Sequence, residues 1–391
     1  MTAPLRVIGL MSGTSLDGID AALVEFSGAD ENALAWRVMA ATATPYAPEQ
    51  RTQIHDTIVH GDAASICRLH ADLGEWLAAA ALAACDAAGL VPGDIDLVGS
   101  HGQTVWHEPP AGARRGATLQ LGCPATIAER TGIGVVSDFR ARDIAAGGEG
   151  APLVPWVDRM LFSHPERSRA LQNIGGMANV TWLPRRGEAR ELLAFDTGPG
   201  VAMIDAAVAI ASGGRESFDR DGAWAARGEV DARLRDELLA HPYFERTPPK
   251  STGREVFGRP MVEKIVADRA PGDDAAWADL IATLTAVTAR SIADAYRNWI
   301  LPRGVNEAFV SGGGARNVTL MQLLRAELDP LPVHDGSALG LEPDFKEAVA
   351  FAALAWAFHN RIPGNVVEAT GAAGPRVLGS FTPGNKSNLR S

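Results

Sequence analysis

The chain opens on a block of apolar residues, Leu5-Arg6-Val7-Ile8-Gly9-Leu10-Met11, that ends in a polar, Gly-containing loop over residues 12–18. Residues 20–26 predict a second strand and residues 34–40 a third. Strand, short Gly loop and strand spell a hairpin rather than a βαβ unit. The period then changes. Ile66, Leu69, Leu73, Trp76, Leu77 and Ala80 recur at helical spacing and predict a helix over 64–88, ended by Gly89. Residues 96–99 read as a short strand leading to Ser100-His101-Gly102-Gln103-Thr104. Residues 133–137 read as another strand. A loop with Asp138, Arg140, Arg142 and Asp143 and a Gly-rich turn at 147–150 follow it.

A second half begins near Arg169. Residues 170–174 predict a strand, Gly175-Gly176 a turn, and residues 180–183 a further strand. Residues 192–195 then run into Asp196-Thr197-Gly198-Pro199-Gly200. The two halves repeat one arrangement loosely, with no fixed period. Residues 215–260 are polar and turn-rich and read as an insertion or surface loops. A helix is expected over 275–299, a strand over 307–310 entering Ser311-Gly312-Gly313-Gly314, and a last helix over 345–359. The polar tail after Gly379 is expected to be loose.

Composition narrows the function classes. A length of 391 residues suggests two or three domains, and 46% hydrophobic residues suffice for packed cores. The net charge of −11 opposes general binding to a phosphate backbone, although a local cationic pocket for a small anion stays open. Three cysteines without a CxxC spacing argue against a disulfide framework and a structural zinc site. The N-terminus lacks a signal-peptide pattern, and the longest smooth apolar run, residues 77–85, is too short to span a bilayer. A soluble cytoplasmic protein, without nucleic-acid or membrane partners, is the expectation.

Several clusters could carry chemistry. Residues 9–20 form a Gly/Ser/Thr loop able to hold phosphate oxygens on backbone N–H groups, or an ordinary hairpin turn. The loop is neither a P-loop nor a GxGxxG fingerprint. Together with Gly175-Gly176 and Gly312-Gly313-Gly314 it suggests one nucleotide served by two similar halves. Asp196, at a strand's carboxyl end before a Gly-Pro-Gly turn, could take a proton from a nucleophile, or cap the strand as an Asx turn. The charged cluster Asp138, Arg140, Arg142 and Asp143 offers guanidinium forks for an anion, or is a solvated loop with internal ion pairs. Glu347 lies three residues after Asp344, a capping-box-like spacing. His101 and His107, six apart, make a poor ligand pair, and Asp219 and Asp221 lack the rest of a calcium loop.

The sequence Gly9-Leu10-Met11-Ser12-Gly13-Thr14-Ser15-Leu16-Asp17-Gly18 resembles the opening motif of the anhydro-N-acetylmuramic acid kinases. The likeness continues, in order, through Ser100-His101-Gly102-Gln103-Thr104, Asp138-Phe139-Arg140, Asn173-Ile174-Gly175-Gly176, Phe195-Asp196-Thr197-Gly198-Pro199-Gly200, Phe218-Asp219-Arg220-Asp221-Gly222, Lys250-Ser251-Thr252-Gly253-Arg254-Glu255 and Ser311-Gly312-Gly313-Gly314. The resemblance implies a two-lobed α/β fold of the actin/hexokinase type (ribonuclease H-like) with a central cleft. It implies ATP- and Mg2+-dependent conversion of 1,6-anhydro-N-acetylmuramic acid to N-acetylmuramic acid 6-phosphate in peptidoglycan recycling, with a homodimer as the family expectation. By the same resemblance Gly13, Thr14, Ser15, Leu16, Asp17, Gly18, Ile19 and Asp20 form the first phosphate loop, Gly175 and Gly176 the second, and Gly312, Gly313 and Gly314 lie near the adenosine. Asp196 matches the catalytic base and Glu347 a second acid at the sugar. His101, Gln103, Arg140 and Asp143 are substrate-binding candidates, and the metal ligands are not assigned. Two departures stand out: Glu149 where Gln is expected, and Val201 where Asn is usual.

On this reading residues 1–150 form the first lobe, 151–340 the second, and 341–391 a C-terminal helix returning toward the first lobe, with the tail. The competing readings are a kinase for another sugar on the same fold, a non-catalytic sugar sensor, which would carry a basic helix-turn-helix module, and an ATP-driven chaperone, which would need a further substrate-binding domain.

Overall fold

The computed structural model describes residues 4–28, 34–110, 112 and 114–385. It divides into two compact units, one of Met1–Leu161 with Gly340–Ser391 and one of Phe162–Leu339.

The first unit contains β1 (Leu5–Ser12), β2 (Gly18–Ser27), β3 (Ala35–Pro45), β4 (Leu97–Glu108), β5 (Ala117–Leu121) and β6 (Gly134–Ser137). The second contains β7 (Arg169–Ile174), β8 (Met177–Leu183), β9 (Leu193–Pro199), β10 (Glu307–Ser311) and β11 (Val333–Asp335). β12 (Ser380–Thr382) returns to the first sheet. The strand orders are β12-β6-β4-β1-β2-β3, with β5 paired to β4, and β11-β10-β7-β8-β9. In each unit an antiparallel meander, β1-β2-β3 or β7-β8-β9, continues from its first strand into parallel neighbours, β4 and β6 or β10 and β11. The loose resemblance between the halves is therefore a repeat of strand order and direction.

The continuous apolar run of β1 reflects burial on both faces of a central strand. The helix Ala63–Ala87 covers one side with Leu69, Leu73 and Leu77. The helix Lys346–His359 covers the other, and its Ala-rich sequence has a steric reason. Gly9 and Gly99 are register partners on β1 and β4. A Cβ at Gly9 would run into the Ala348 carbonyl oxygen, and one at Gly99 into that of Phe351. Two adjacent glycines make a seam on which a helix of small residues can lie close. Trp356 reaches past the seam to stack on Phe26 at 5.9 Å. In the second unit the helices Asp274–Ala295 and Val318–Leu328 pack on the sheet. The helices Ala202–Ala211 and Arg259–Arg269 join Asp274–Ala295 in a further apolar cluster.

Several expectations are corrected. The strand expected over 96–99 is longer: β4 continues through residues 100–104 to Glu108. The helices Pro48–His60 and Val318–Leu328 were not anticipated, the first because its apolar stripe is thin, with only Ile54 and Thr57 buried. Residues 215–260 hold the helix Ala232–Leu239, capped by Asp231, rather than loops throughout. Ser380–Thr382 is paired with β6, while residues 386–391 lie outside the described residues. No capping box forms at Glu347. The N-cap is Phe345, without a side-chain cap bond, and Glu347 is the second helical residue.

Candidate active site

The turn between β1 and β2 is pinned at both ends. Ser12 Oγ lies 2.7 Å from Tyr46 Oη and donates to Gln103 Oε1 on β4. Leu16 adopts a left-handed conformation (φ 57°), and its side chain is buried in the apolar cluster below. That anchoring leaves Thr14, Ser15 and Asp17 exposed. Gly13 itself is unobstructed, since the nearest atom to an added Cβ would be Ser15 Oγ at 3.6 Å. Asp20, half-buried on β2, has its carboxyl pushed up by burial and then by the like charges of Glu347, Asp344 and Asp17. The first loop and the start of the Lys346–His359 helix thus share one acidic surround.

β4 carries the next group. Its register with β1 slips between the pairs Leu10–Ser100 and Ser12–Gln103, so His101 and Gly102 oppose Met11 alone. Gly102 takes φ 74°, and the bulge re-aims His101. His101 packs in a tilted arrangement on Phe351 at 4.5 Å, Nδ1 lies 2.9 Å from the Gly102 carbonyl, and Nε2 accepts from Arg140 Nε at 3.0 Å. Burial, then the Arg140 charge, lowers its pKa to about 3. The ring is therefore neutral, with its proton on Nδ1. Arg140 follows a strained Asp138 (φ 59°) and donates from Nη1 to the Gly150 carbonyl at 2.8 Å. Its Nη2 hydrogens meet no acceptor among the described residues, and the Glu347 carboxylate acts on it electrostatically.

The other two substrate candidates in this unit are enclosed. Gln103 has no exposed surface, and its Nε2 donates to the Thr104 carbonyl. Asp143 also has none. One of its oxygens accepts from the Gly150 amide at 2.9 Å, the other from Asn365 Nδ2 and Thr370 Oγ1 at 2.8 Å each. Two members of the charged cluster are thus built in, Asp143 ordering Gly150, which in turn holds Arg140, while Asp138 and Arg142 are exposed. Asn365 and Thr370 were not signalled by the sequence, lying more than 200 residues from Asp143.

In the second unit Asp196 sits within β9, with its amide bonded to the Lys250 carbonyl at 3.0 Å. Asp196 Oδ2 accepts from the Thr252 amide at 2.9 Å, and its carbonyl accepts from Tyr243 Oη at 2.6 Å. Oδ1 meets no donor among the described residues. Burial pushes the carboxyl up, and the Thr252 amide partly opposes this. Lys250 is buried, with Nζ donating to the Tyr243 and Phe244 carbonyls and its pKa lowered by burial. Lys250, Thr252 and Tyr243 are the supports of Asp196 that sequence reasoning did not assign, though two lie in a quoted motif.

The second and third Gly turns meet. β7 and β10 are parallel neighbours, with Ser311 paired to Asn173. A Cβ at Gly312 (φ 85°) would lie 2.6 Å from Asn173 Oδ1, and one at Gly314 would strike Ile174. The carboxyl ends of parallel strands beside a reversal of strand order are where open α/β sheets bind ligands. Among the described residues no group of three or more His, Cys, Asp or Glu side chains is arranged to hold a metal ion. No helix is long and apolar enough to cross a membrane, among the same residues.

Two units with one repeated sheet order, and glycine turns at the ends of β1, β7 and β10, define an α/β protein built of two similar halves. Residues 5–384 match the family model of anhydro-N-acetylmuramic acid kinase. A relative of that name from Gloeobacter violaceus is 45% identical over 383 residues, covering 97% of this chain and 99% of its own. One from Caldanaerobacter subterraneus subsp. tengcongensis is 44% identical, covering 96% of each. Among solved structures, the activator of the 2-hydroxyisocaproyl-CoA dehydratase from Clostridium difficile with bound ADPNP is 13% identical, with a TM-score of 0.41, covering 90% of this chain and 94% of that one. The chain belongs to the anhydro-N-acetylmuramic acid kinase family and is a kinase.

Proposed function

We propose that this kinase opens 1,6-anhydro-N-acetylmuramic acid with water and phosphorylates O6, giving N-acetylmuramic acid 6-phosphate and ADP. The observation that carries the reading is the state of Asp196: a half-buried carboxylate, raised in pKa by burial, fixed through Oδ2 and open at Oδ1. Such a group suits a general base. In the anhydro sugar O6 is tied to C1, so no free hydroxyl exists to phosphorylate. Asp196 takes a proton from water as the water oxygen bonds to C1. The C1–O6 bond breaks, O6 bonds to the γ-phosphorus, and the bond to the β-phosphate oxygen breaks to release ADP.

Arg140 meets the lactyl carboxylate through Nη2, a pairing that guanidinium geometry favours. His101, Asp143 and Gln103 act behind it, orienting Arg140 and the strand ends. Glu347 is the second acid at the sugar. Glycines 13, 175 and 176 approach the phosphates, and Gly312 to Gly314 approach the adenosine. Bound with the nucleotide, Mg2+ would neutralise phosphate charge, and Asp20 is the carboxylate that would hold it. The raised carboxyl of Asp20 among three like charges fits a carboxylate awaiting such a cation, and Mg2+ usually takes only one or two protein carboxylates beside phosphate oxygens. We place the enzyme in cytoplasmic peptidoglycan recycling as a homodimer, on the strength of the family likeness.

The test is incubation with ATP, Mg2+ and a panel of amino sugars, with products read by mass spectrometry. The expected product is the 6-phosphate of the hydrated anhydro sugar. Phosphorylation of a free hexosamine with no turnover of the anhydro sugar overturns the reading.

A further inference from the structure

The carbonyls of the Gly175–Gly176 turn face the protein. The amides of Gly200 and Ala202 donate to Gly176 O at 2.9 and 3.1 Å, and the Val201 amide to Gly175 O at 2.9 Å. The Gly175 amide donates to Met177 O at 3.1 Å, whereas the Gly176 amide meets no acceptor among the described residues. Over the same residue lies a guanidinium. A Cβ built on Gly176 would fall 2.9 Å from Nη2 and 3.1 Å from Nε of Arg254. Arg254 is exposed and forms no hydrogen bond or ion pair among the described residues. A free amide and an unengaged cation therefore share one small backbone face, the donor set an anion needs.

The backbone of Arg254 is not loose. On one side stand Lys250, buried, and Thr252, bonded to Asp196. On the other, the amides of Val256 and Phe257 donate to the Gly253 carbonyl at 3.1 and 3.0 Å, and Phe257 is buried against His241, Tyr243 and Phe244. Asp205, on the helix that follows the Gly-Pro-Gly turn, lies close enough for the Arg254 charge to act on its carboxyl, which burial nevertheless raises to about 6. The guanidinium is thus held near the turn by a fixed backbone and a nearby acid, without being consumed by a salt bridge.

We infer that Arg254 is a phosphate-binding residue of this kinase, acting with the Gly176 amide on the nucleotide's polyphosphate, and that the Lys250–Arg254 segment fixes this cation and the Asp196 carboxylate in one piece. The inference rests on the reading of Gly175–Gly176 as a phosphate turn. A methyl group at position 176 would displace the guanidinium from the turn.

The experiment is titration calorimetry of the full chain with a non-hydrolysable ATP analogue and with adenosine, on wild type, Arg254→Ala, Arg254→Lys and Gly176→Ala, with thermal melting to verify folding. Arg254→Ala should weaken the analogue by about 10- to 100-fold and leave adenosine affinity unchanged, as loss of a charge-assisted bond to phosphate requires. Arg254→Lys should recover part of the loss. Gly176→Ala combined with Arg254→Ala should lose less than the product of the single effects, because each removes the same contact. Equal losses for analogue and adenosine would mark Arg254 as structural and overturn the inference. A loss on Gly176→Ala with none on either Arg254 variant overturns it while sparing the phosphate turn. Unchanged affinity in every variant overturns both.

Discussion

Arg140 Nε donates to His101 Nε2 at 3.0 Å and Nη1 to the Gly150 carbonyl, so the histidine of this pair is an acceptor and the arginine keeps Nη2 for something else. The pair fixes a sign for pH dependence. His101 is held neutral down to about pH 3 in the folded chain, against an ordinary value of 6.5. Below pH 6.5 the unfolded chain takes up a proton that the folded chain refuses, so stability falls as pH drops through that window, by up to about 1.4 kcal/mol per pH unit. His101→Gln keeps an acceptor but cannot titrate. Denaturant melts between pH 4 and 7 should show a shallower fall for the variant. Parallel curves for the two proteins would show that His101 does not resist protonation.

Arg140→Ala should raise KM for the anhydro sugar well above any change in KM for ATP if, as proposed, the lost group meets the lactyl carboxylate. Arg140→Lys should rescue little, since an ammonium cannot hold His101, Gly150 and a carboxylate in one plane. Equal changes in both KM values would reduce Arg140 to a structural member of its cluster.

Asp143 tests the opposite role. Removing its carboxylate strands the Gly150 amide, Asn365 Nδ2 and Thr370 Oγ1 in a buried place. Asp143→Ala should lower stability by about 1–3 kcal/mol for each buried donor it leaves unpaired. Calorimetry on the purified variant measures this. A native-like melting temperature with a raised KM for sugar would instead make Asp143 a direct ligand.

Glycines separate by what surrounds them. Gly13 has open space and no left-handed φ, so Gly13→Val should fold with stability within about 0.5 kcal/mol of wild type, as at other unobstructed surface sites. Its nucleotide affinity should nonetheless fall, because on the proposed reading the side chain enters the phosphate approach. Gly9→Ala, which drives a methyl into the Ala348 carbonyl, should cost about 3 kcal/mol as overpacking. Nucleotide titration and melting curves on the two variants distinguish them. Unchanged affinity for Gly13→Val removes this loop from the phosphate site.

How much of this was legible follows from range. The hairpins around residues 12–18 and 175–176 are local, and their alternating turns and apolar runs announced them. The helix Ala63–Ala87 was equally plain, since Leu69, Leu73 and Leu77 all face the core. The bulge at Gly102 was not, because it depends on the register between β1 and β4, strands some 90 residues apart in sequence. The supports of Asp143 at Asn365 and Thr370 depend on the C-terminal segment returning to the first unit. Val201 illustrates a trade no pattern shows. It caps the helix Ala202–Ala211 without a side-chain bond, yet it packs against both apolar clusters of the second unit. Candidate chemistry was legible as residue types. Which groups are open and which are consumed was not.

Asp196 supplies the decisive test of mechanism. Its Oδ1 is open while the Thr252 amide fixes Oδ2, so the carboxylate can receive a proton without moving. Asn keeps the shape and loses the base. Asp196→Asn should bind both substrates and lose about 10²–10⁴-fold in kcat, the usual range for general-base catalysis. Because burial raises the folded carboxyl, the acid limb of kcat against pH for wild type should lie above the ordinary aspartate value of 3.8, with activity falling as pH drops through it. In 18O-labelled water the wild-type product, quenched before its anomeric oxygen exchanges, should carry the label on C1 and none in the phosphate. Label in the phosphate, or near-normal turnover by the Asn variant, would remove Asp196 from the role of base.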